Sequence, residues 1–578
     1  MKKTTLALMG MAAAIAGTGI APAATVTVSN DITTSTTWSA SNVYDMTKQI
    51  YVKPGATLTI QAGTVCKSAG GGSLAVCKGA KIYVNGTAAH PVIMTSEADT
   101  MTGWREACTE WGNLTIMGKA LISGSHFAGV PYVRPGTALT NTKVPDGTNV
   151  RQMEGLTAAY AGDPNVMYGG NDDNDNSGAI HYLSLRYGGK VLGLTNELNG
   201  LSLGGIGRAT EIDHVEIMNN VDDGIEIWGG TVNLKYISIW NVGDDSLDVD
   251  QGWRGKAQFG LIVQGSSANA TQGSGVGDNV FEVDGAEDSD AQPVTSACIY
   301  NFTCIGQPVV GDQGTAWRDG ARVQYRNCIW MDLGEALVKN DNVDGDGAQG
   351  YGLNGTLTFA QIWTTAYNSY SQVNKGTLNA AGLASLYQAQ SSGKMAEIKD
   401  SVFYNNLFAS AYTAADTAGV RAAANNNVTA SSSPIKSLTR GTALTRAGGS
   451  LYPVTNVDPR AANDAVASVA AAPADGFFSP ANYRGGFDAD VNWLKGWTAA
   501  DAYGMLAASS SETASVLELT ATTFYQTTVG ANYKVQSSTD MVNWATDATV
   551  VGDGTIKSAT DLATPNSTKK FYRVLAVQ

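Results

Sequence analysis

The sequence is poor in charge, histidine, cysteine and proline, and each shortage narrows what the chain can be. Charged residues make up 15% of 578 positions, against the ~25% of an average soluble domain. The balance is acidic: 37 Lys and Arg stand against 51 Asp and Glu, a formal charge of −14. With no Lys/Arg block, the chain lacks the electrostatic footprint of a nucleic-acid binder. The four histidines, His90, His126, His181 and His214, are scattered, and neither H-E-x-x-H nor C-x-x-C occurs, which leaves little material for a zinc site. Six cysteines are too few for a disulfide scaffold, although they fit an oxidising compartment. Cys66–Cys77 and Cys304–Cys328 are candidate pairs, but sequence does not settle connectivity.

Long apolar runs are also missing beyond the N-terminus, so no transmembrane helix of ~18–20 residues is expected in the mature chain. Residues 1–24 read as a signal peptide. Lys2 and Lys3 precede an apolar, Ala-rich stretch from Leu6 to Ile20, and Ala21-Pro22-Ala23 supplies small residues for cleavage. The first cysteine is Cys66, so lipid anchoring at the cleavage site is not expected. The expected location is outside the cell or on its envelope.

What the chain has in quantity is glycine, 66 residues, and short β-branched strands at a fixed spacing. Gly55-Ala-Thr-Leu-Thr-Ile60 returns 24 residues later as Gly79-Ala-Lys-Ile-Tyr-Val84. Val215-Glu-Ile217 and Asp222-Asp-Gly-Ile-Glu-Ile227 return 22 residues later as Ile237-Ser-Ile239 and Asp244-Asp-Ser-Leu-Asp-Val249. Apolar and polar residues alternate within each run, so each strand has one buried face. A fixed period with no helical pattern between strands predicts an all-β fold, a right-handed parallel β-helix. Gly and Asn are expected to take the positive-φ corners. An antiparallel sandwich array would need hairpin signals between neighbouring strands. The solenoid is expected over residues 25–410 with loop insertions, followed by a loop-rich extension over 411–511 that packs on it. A small antiparallel β-sandwich-like module is expected over 512–578, where Tyr533-Lys-Val-Gln-Ser537 and Phe571-Tyr-Arg-Val-Leu575 alternate.

Several segments also carry a resemblance. Trp111-Gly-Asn-Leu-Thr-Ile116, Ile180-His-Tyr-Leu-Ser-Leu-Arg-Tyr-Gly-Gly189, Asn196-Glu-Leu-Asn-Gly-Leu-Ser-Leu-Gly-Gly205, Ile225-Glu-Ile-Trp-Gly-Gly-Thr-Val232 and Tyr483-Arg-Gly-Gly-Phe487 resemble a family of exported bacterial proteins. These are cell-surface or outer-membrane-associated right-handed β-helix proteins, many of them predicted lipoproteins. The resemblance covers about residues 45–505 and implies the fold and an envelope location, but no established activity. The chain departs from the lipoprotein members in lacking the lipidation cysteine.

Candidate chemistry is acidic. Asp222, Asp223 and Glu226 in one coil stack on Asp244, Asp245 and Asp248 in the next, with Asp250 close by. At the ~4.8 Å spacing of neighbouring strands and an effective dielectric of 20, each pair of like charges repels by roughly 3 kcal/mol. Such a stack calls for a counter-charge, solvent exposure or raised pKa values. Three readings follow. The carboxylates are solvated caps on turn N–H groups; or they hold Ca²⁺, with all seven residues as candidate ligands; or Asp222, Asp223, Asp244 and Asp245 act with Arg254 and Lys256 as a polysaccharide lyase or glycoside hydrolase. Trp228, Trp240 and Trp253 lie close in sequence and are candidate sugar platforms, or core packing. Further acidic loops at Asp172–Asp175 and Asp341–Asp346 have alternating oxygen donors without the terminal Glu of an EF-hand. Glu282, Asp284, Glu287, Asp288 and Asp290 form one more cluster. A Ser/His/Asp triad has no motif support. The expectation is a structural, adhesive or glycan-binding protein whose partner is a polysaccharide or cell-surface glycan, with the lyase or hydrolase as the alternative.

Overall fold

The computed structural model describes residues 23–123, 150–160, 162–193, 196–265, 277–285, 293–308, 313–340, 357–369, 384–406, 420, 422–446, 449–462, 469–507, 521–526, 532–538, 545–551, 556–561 and 571–577. Residues 1–22 of the expected signal peptide, the Asp341–Asp346 loop and the trio Glu287, Asp288 and Asp290 lie outside the described residues.

Two long parallel sheets, of 17 and nine strands, run along the chain as a β-helix. Their register is the sequence repeat made physical. Val215 pairs with Ile237 on the first sheet, and Ile225 pairs with Leu247 on the second. The 24-residue repeat likewise places Leu58 beside Ile82. Each strand puts its alternate apolar side chains inside, and Ile217, Ile227, Ile239 and Val249 are buried. A single coil has nothing to pack this stripe against. Stacking buries it, at about 1.5–3 kcal/mol for each Ile or Leu.

The corners follow the expected chemistry in part, with Asn219, Asn241 and Asn327 at positive φ. Gly55 and Gly79 do take positive φ, +85° and +86°. The long first-sheet strands, however, bend at Tyr182, His214, Tyr236 and Phe259, with φ of 51°, 52°, 58° and 62°. Bulky residues are strained in this conformation, so a compensating contact is needed, and ring stacking supplies it.

Within the extension, Ile435–Arg440 pairs antiparallel with Val454–Ala461. It packs on the outer surface of the first sheet, where Met218, Trp240, Val263 and Ile305 form an apolar cluster with Val457 and Leu494. Polar ties join the same surfaces. Gln258 Nε2 donates to the Ser479 carbonyl at 2.8 Å, and buried Glu216 accepts N–H bonds from Ala499 and Ala500 at the start of a short helix.

The chain divides into compact units Met1–Ala507 and Ala508–Gln578. In the second, Asn532–Ser538 pairs antiparallel with both Ala545–Val551 and Phe571–Val577. All six cysteines are free and buried. Cys66 belongs to the solenoid core, whereas the Cys77 thiol faces the Asn165 carbonyl at 3.4 Å, so those two point apart.

Candidate functional site

On the second sheet, Ile225–Gly230, Leu247–Asp250, Asn279–Asp284 and Gln313–Arg318 stack in parallel register. Ile225, Ile227, Leu247, Val249, Phe281 and Val283 fill the core, so the alternate residues face outward. One outward column runs Ser202, Glu226, Asp248 and Glu282. In the next, Trp228 pairs with Asp250, and Asp284 with Arg318. Preceding the columns is a turn position held by Asp223 and Asp245. Asp223 Oδ1 accepts the Asp245 N–H at 2.9 Å, and Asp245 Oδ1 accepts the Asn279 N–H at 2.7 Å. These two carboxylates therefore cap the turn of the following coil.

The acids are crowded. Asp222, Asp223 and Asp244 form one group, Asp223, Glu226 and Asp248 a second, and Asp244, Asp245 and Asp278 a third. Each group offers oxygens within 4.8 Å of one another. Burial, reinforced by the neighbouring carboxylates, pushes Asp223, Glu226, Asp245 and Asp284 well above the usual range. Burial also pushes Asp248 up to about 6, against the pull of Arg318. Arg318 supplies a positive charge at the end of the columns: it contacts Glu282 and bonds Asp284 at 2.9 Å. Asp248 Oδ1, Asn199 Oδ1 and Asn279 Oδ1 are buried acceptors without a hydrogen bond.

Arg254 and Lys256 do not join this stack. Arg254 lies in the turn leaving the second sheet, buried, with its guanidinium on Asp173 at 2.6 and 2.8 Å and on the Leu121 and Leu386 carbonyls. Lys256 opens a first-sheet strand and pairs with Asp475 at 2.6 Å. The sequence places both near Asp250, but the turn carries them away from it. Asp173 thus gives the Asp172–Asp175 loop a structural task, and Asp172 caps the Asn174 N–H at 3.0 Å.

Two of the three tryptophans are core residues. Trp240 and Trp253 are fully buried, and their indole N–H groups bond Ser238 Oγ and the Val232 carbonyl, each at 2.9 Å. Trp240 ends a first-sheet strand and is covered by the extension. Trp228 is 5% exposed, yet it borders a cleft of ≈ 420 Å³. Glu226, Asp250, Gln251, Tyr168, Arg151 and Glu154 also line it. Tyr168 leans toward Trp228 with ring centroids 6.2 Å apart, and its hydroxyl donates to Gln251 Oε1 at 2.9 Å.

A second constellation escaped sequence reasoning. The coil register aligns Ile180-His-Tyr-Leu183, Ile212-Asp-His-Val215, Leu234-Lys-Tyr-Ile237 and Ala257-Gln-Phe-Gly260. The second residues make a column in which Asp213 receives His181 Nδ1 at 2.8 Å and also His214 Nδ1 at 2.7 Å. Burial opposes the charge on Asp213, but the two histidine bonds bring its value down to about 2, and the bond to Asp213 raises His181. The third residues form a ring stack: Tyr182 on His214 at 4.0 Å, His214 on Tyr236 at 4.3 Å, and Tyr236 on Phe259 at 5.0 Å. The signal that finds it is an aromatic residue recurring at one place in successive repeats.

Neither a search of curated proteins nor a search of solved structures returns a match. A model of the pectate-lyase-like β-helix domain matches residues 30–402, more than half of the sequence. The chain belongs to the pectate-lyase-like β-helix domain family.

Proposed function

We propose that this is an exported envelope or extracellular protein that binds polysaccharide on the outer face of its second sheet, in a structural or adhesive role. The observation that carries this reading is the cleft beside Trp228, where ring carbons of Trp228 and Tyr168 stand next to the oxygens of Glu226, Asp250 and Gln251. That mixture suits a sugar, which has apolar ring faces and a rim of hydroxyl donors. The acidic walls repel polyuronates and favour a neutral or amino-bearing glycan. Binding is favoured over cleavage because Arg254 and Lys256, the bases a lyase would use, are committed to Asp173 and Asp475. Affinity electrophoresis through β-glucan, galactomannan and chitosan gels tests the reading. The wild-type chain should be retarded in at least one gel, and Trp228→Ala should run freely there. Unretarded migration of the wild type in every gel contradicts it. New reducing ends or unsaturated products would instead restore the lyase or hydrolase reading.

A second reading concerns Ca²⁺, and the orphaned oxygens of Asp248 and Asn199 favour it. Ca²⁺ takes six to eight oxygen ligands, and carboxylate groups within 4.8 Å of one another suit such a shell. Asp223, Glu226 and Asp248 would hold the ion, with Asp222, Asp244 and Asp245 beside them and Asp250 in the adjoining column. Bound there, Ca²⁺ would neutralise the ladder and stiffen the coils.

A further inference from the structure

We propose that the aromatic corner of the first sheet is a second binding site, one for a neutral, hydroxyl-rich ring such as a sugar unit. It lies apart from the acidic face and does not depend on the function assigned there. A cleft of ≈ 370 Å³ opens between the ring stack and the extension, lined by Tyr182, His214, Tyr236, Tyr483, Asp488 and Trp493 among others. Its size falls toward the lower end of small-molecule sites, about 300–1,000 Å³.

Ring orientation decides what the cleft accepts. His214 has Tyr182 on one face and Tyr236 on the other, and Tyr236 is covered in turn by His214 and Phe259. Phe487 lies flat on Trp493, 4.9 Å away with an interplanar angle of 2°. The faces of His214 and Tyr236 are therefore spent on one another, and their edges are what a guest meets. A cation seeks the ring face, where the quadrupole is negative, and finds the positive edge instead. An anion meets the Asp488 carboxylate, which is held at the rim by N–H bonds from Asp490 and Val491 at 2.8 and 2.6 Å. The carboxylate turns anions away and no open ring face is left for a cation–π contact, so the cleft suits a ring whose hydroxyls donate to Asp488.

The polar groups call for hydroxyls. Burial and the Asp488 charge raise the phenols of both Tyr236 and Tyr483, so both stay protonated and can donate. Asp488 accepts. His214 spends Nδ1 on Asp213, so Nε2 is the ring nitrogen left for a guest. Donors and acceptors around apolar ring edges match a sugar unit, whose hydroxyls take both roles.

Isothermal titration of the full chain with cellotetraose, maltotetraose and mannotetraose tests the site, alongside Tyr483→Phe, Asp488→Asn and Trp228→Ala. The expected result is that at least one tetraose binds. Tyr483→Phe and Asp488→Asn should each weaken it about 3–10-fold, as loss of one hydrogen bond does, at an unchanged melting temperature. Trp228→Ala should leave in place the component of binding that the two corner variants weaken. No binding of any tetraose overturns the proposal. So does binding that ignores both corner variants; if that binding is lost in Trp228→Ala, it belongs to the second-sheet cleft.

Discussion

One outward column on each sheet obeys the same geometry, and the two meet opposite electrostatic fates. On the first sheet, successive coils present His181, Asp213 and Lys235; on the second they present Glu226, Asp248 and Glu282. Both are parallel, in-register stacks with a spacing of ~4.8 Å. In the first column the carboxylate lies between basic side chains, and Asp213 is held down to about 2 by its histidine bonds despite burial. In the second, like charges meet like, and Asp248 is pushed up to about 6 by burial. A parallel solenoid multiplies whatever its repeat supplies: alternating charges attract at every step, and identical ones accumulate repulsion. The acidic column therefore needs protons or a cation, and the alternating one does not.

Removing the ring at the centre of the first-sheet stack should break the comparison most severely. His214→Ala leaves Tyr182 and Tyr236 facing a gap and both held at positive φ without their neighbour. A loss of about 2–4 kcal/mol is expected in urea denaturation. Asp213→Asn turns the satisfied column into a mismatched one and should cost about 1–2 kcal/mol. Its pH dependence has a definite sign. The depressed Asp213 value gives stability above about 4 that is lost toward about 2, and the raised His181 gives stability below about 6.5 that is lost as His181 deprotonates. The deficit of the variant should therefore be largest between about pH 4 and 6.5. The smallest effect should come from the metal. Millimolar Ca²⁺ should raise the melting temperature over EDTA by about 2–3 °C near neutral pH and by less at pH 5, where protons already occupy the ladder. No shift between EDTA and Ca²⁺ at either pH would remove the metal from the account.

The repeat itself was legible because identical spacing forces identical register. The 22-residue shift from Val215 to Ile237 is a strand pairing in the structure. The stacking of Glu226 on Asp248 followed from the same arithmetic. What could not be read was which outward face is covered. Trp240 sits where alternation leaves a residue outside, yet it is buried because a segment more than 190 residues later packs over it. Arg254 and Lys256 show the converse. They are near Asp250 in sequence, but a turn between sheets separates them, and their partners Asp173 and Asp475 come from distant segments. The ring stack was hidden because its members differ, Tyr, His, Tyr and Phe, and occupy bend positions that strand alternation does not describe.

Asp248→Asn, followed by thermal unfolding in EDTA at pH 7.5 and pH 4.5, tests the central claim most directly. The amide keeps the shape and deletes one charge of the repelling column. Because the raised folded value favours the protonated state below about 4 and that advantage is lost as pH rises through about 6, the variant should melt about 2–3 °C above wild type at pH 7.5 and level with it at pH 4.5. A variant that melts below wild type at pH 7.5 would show that the Asp248 charge stabilises the ladder, and would contradict the account.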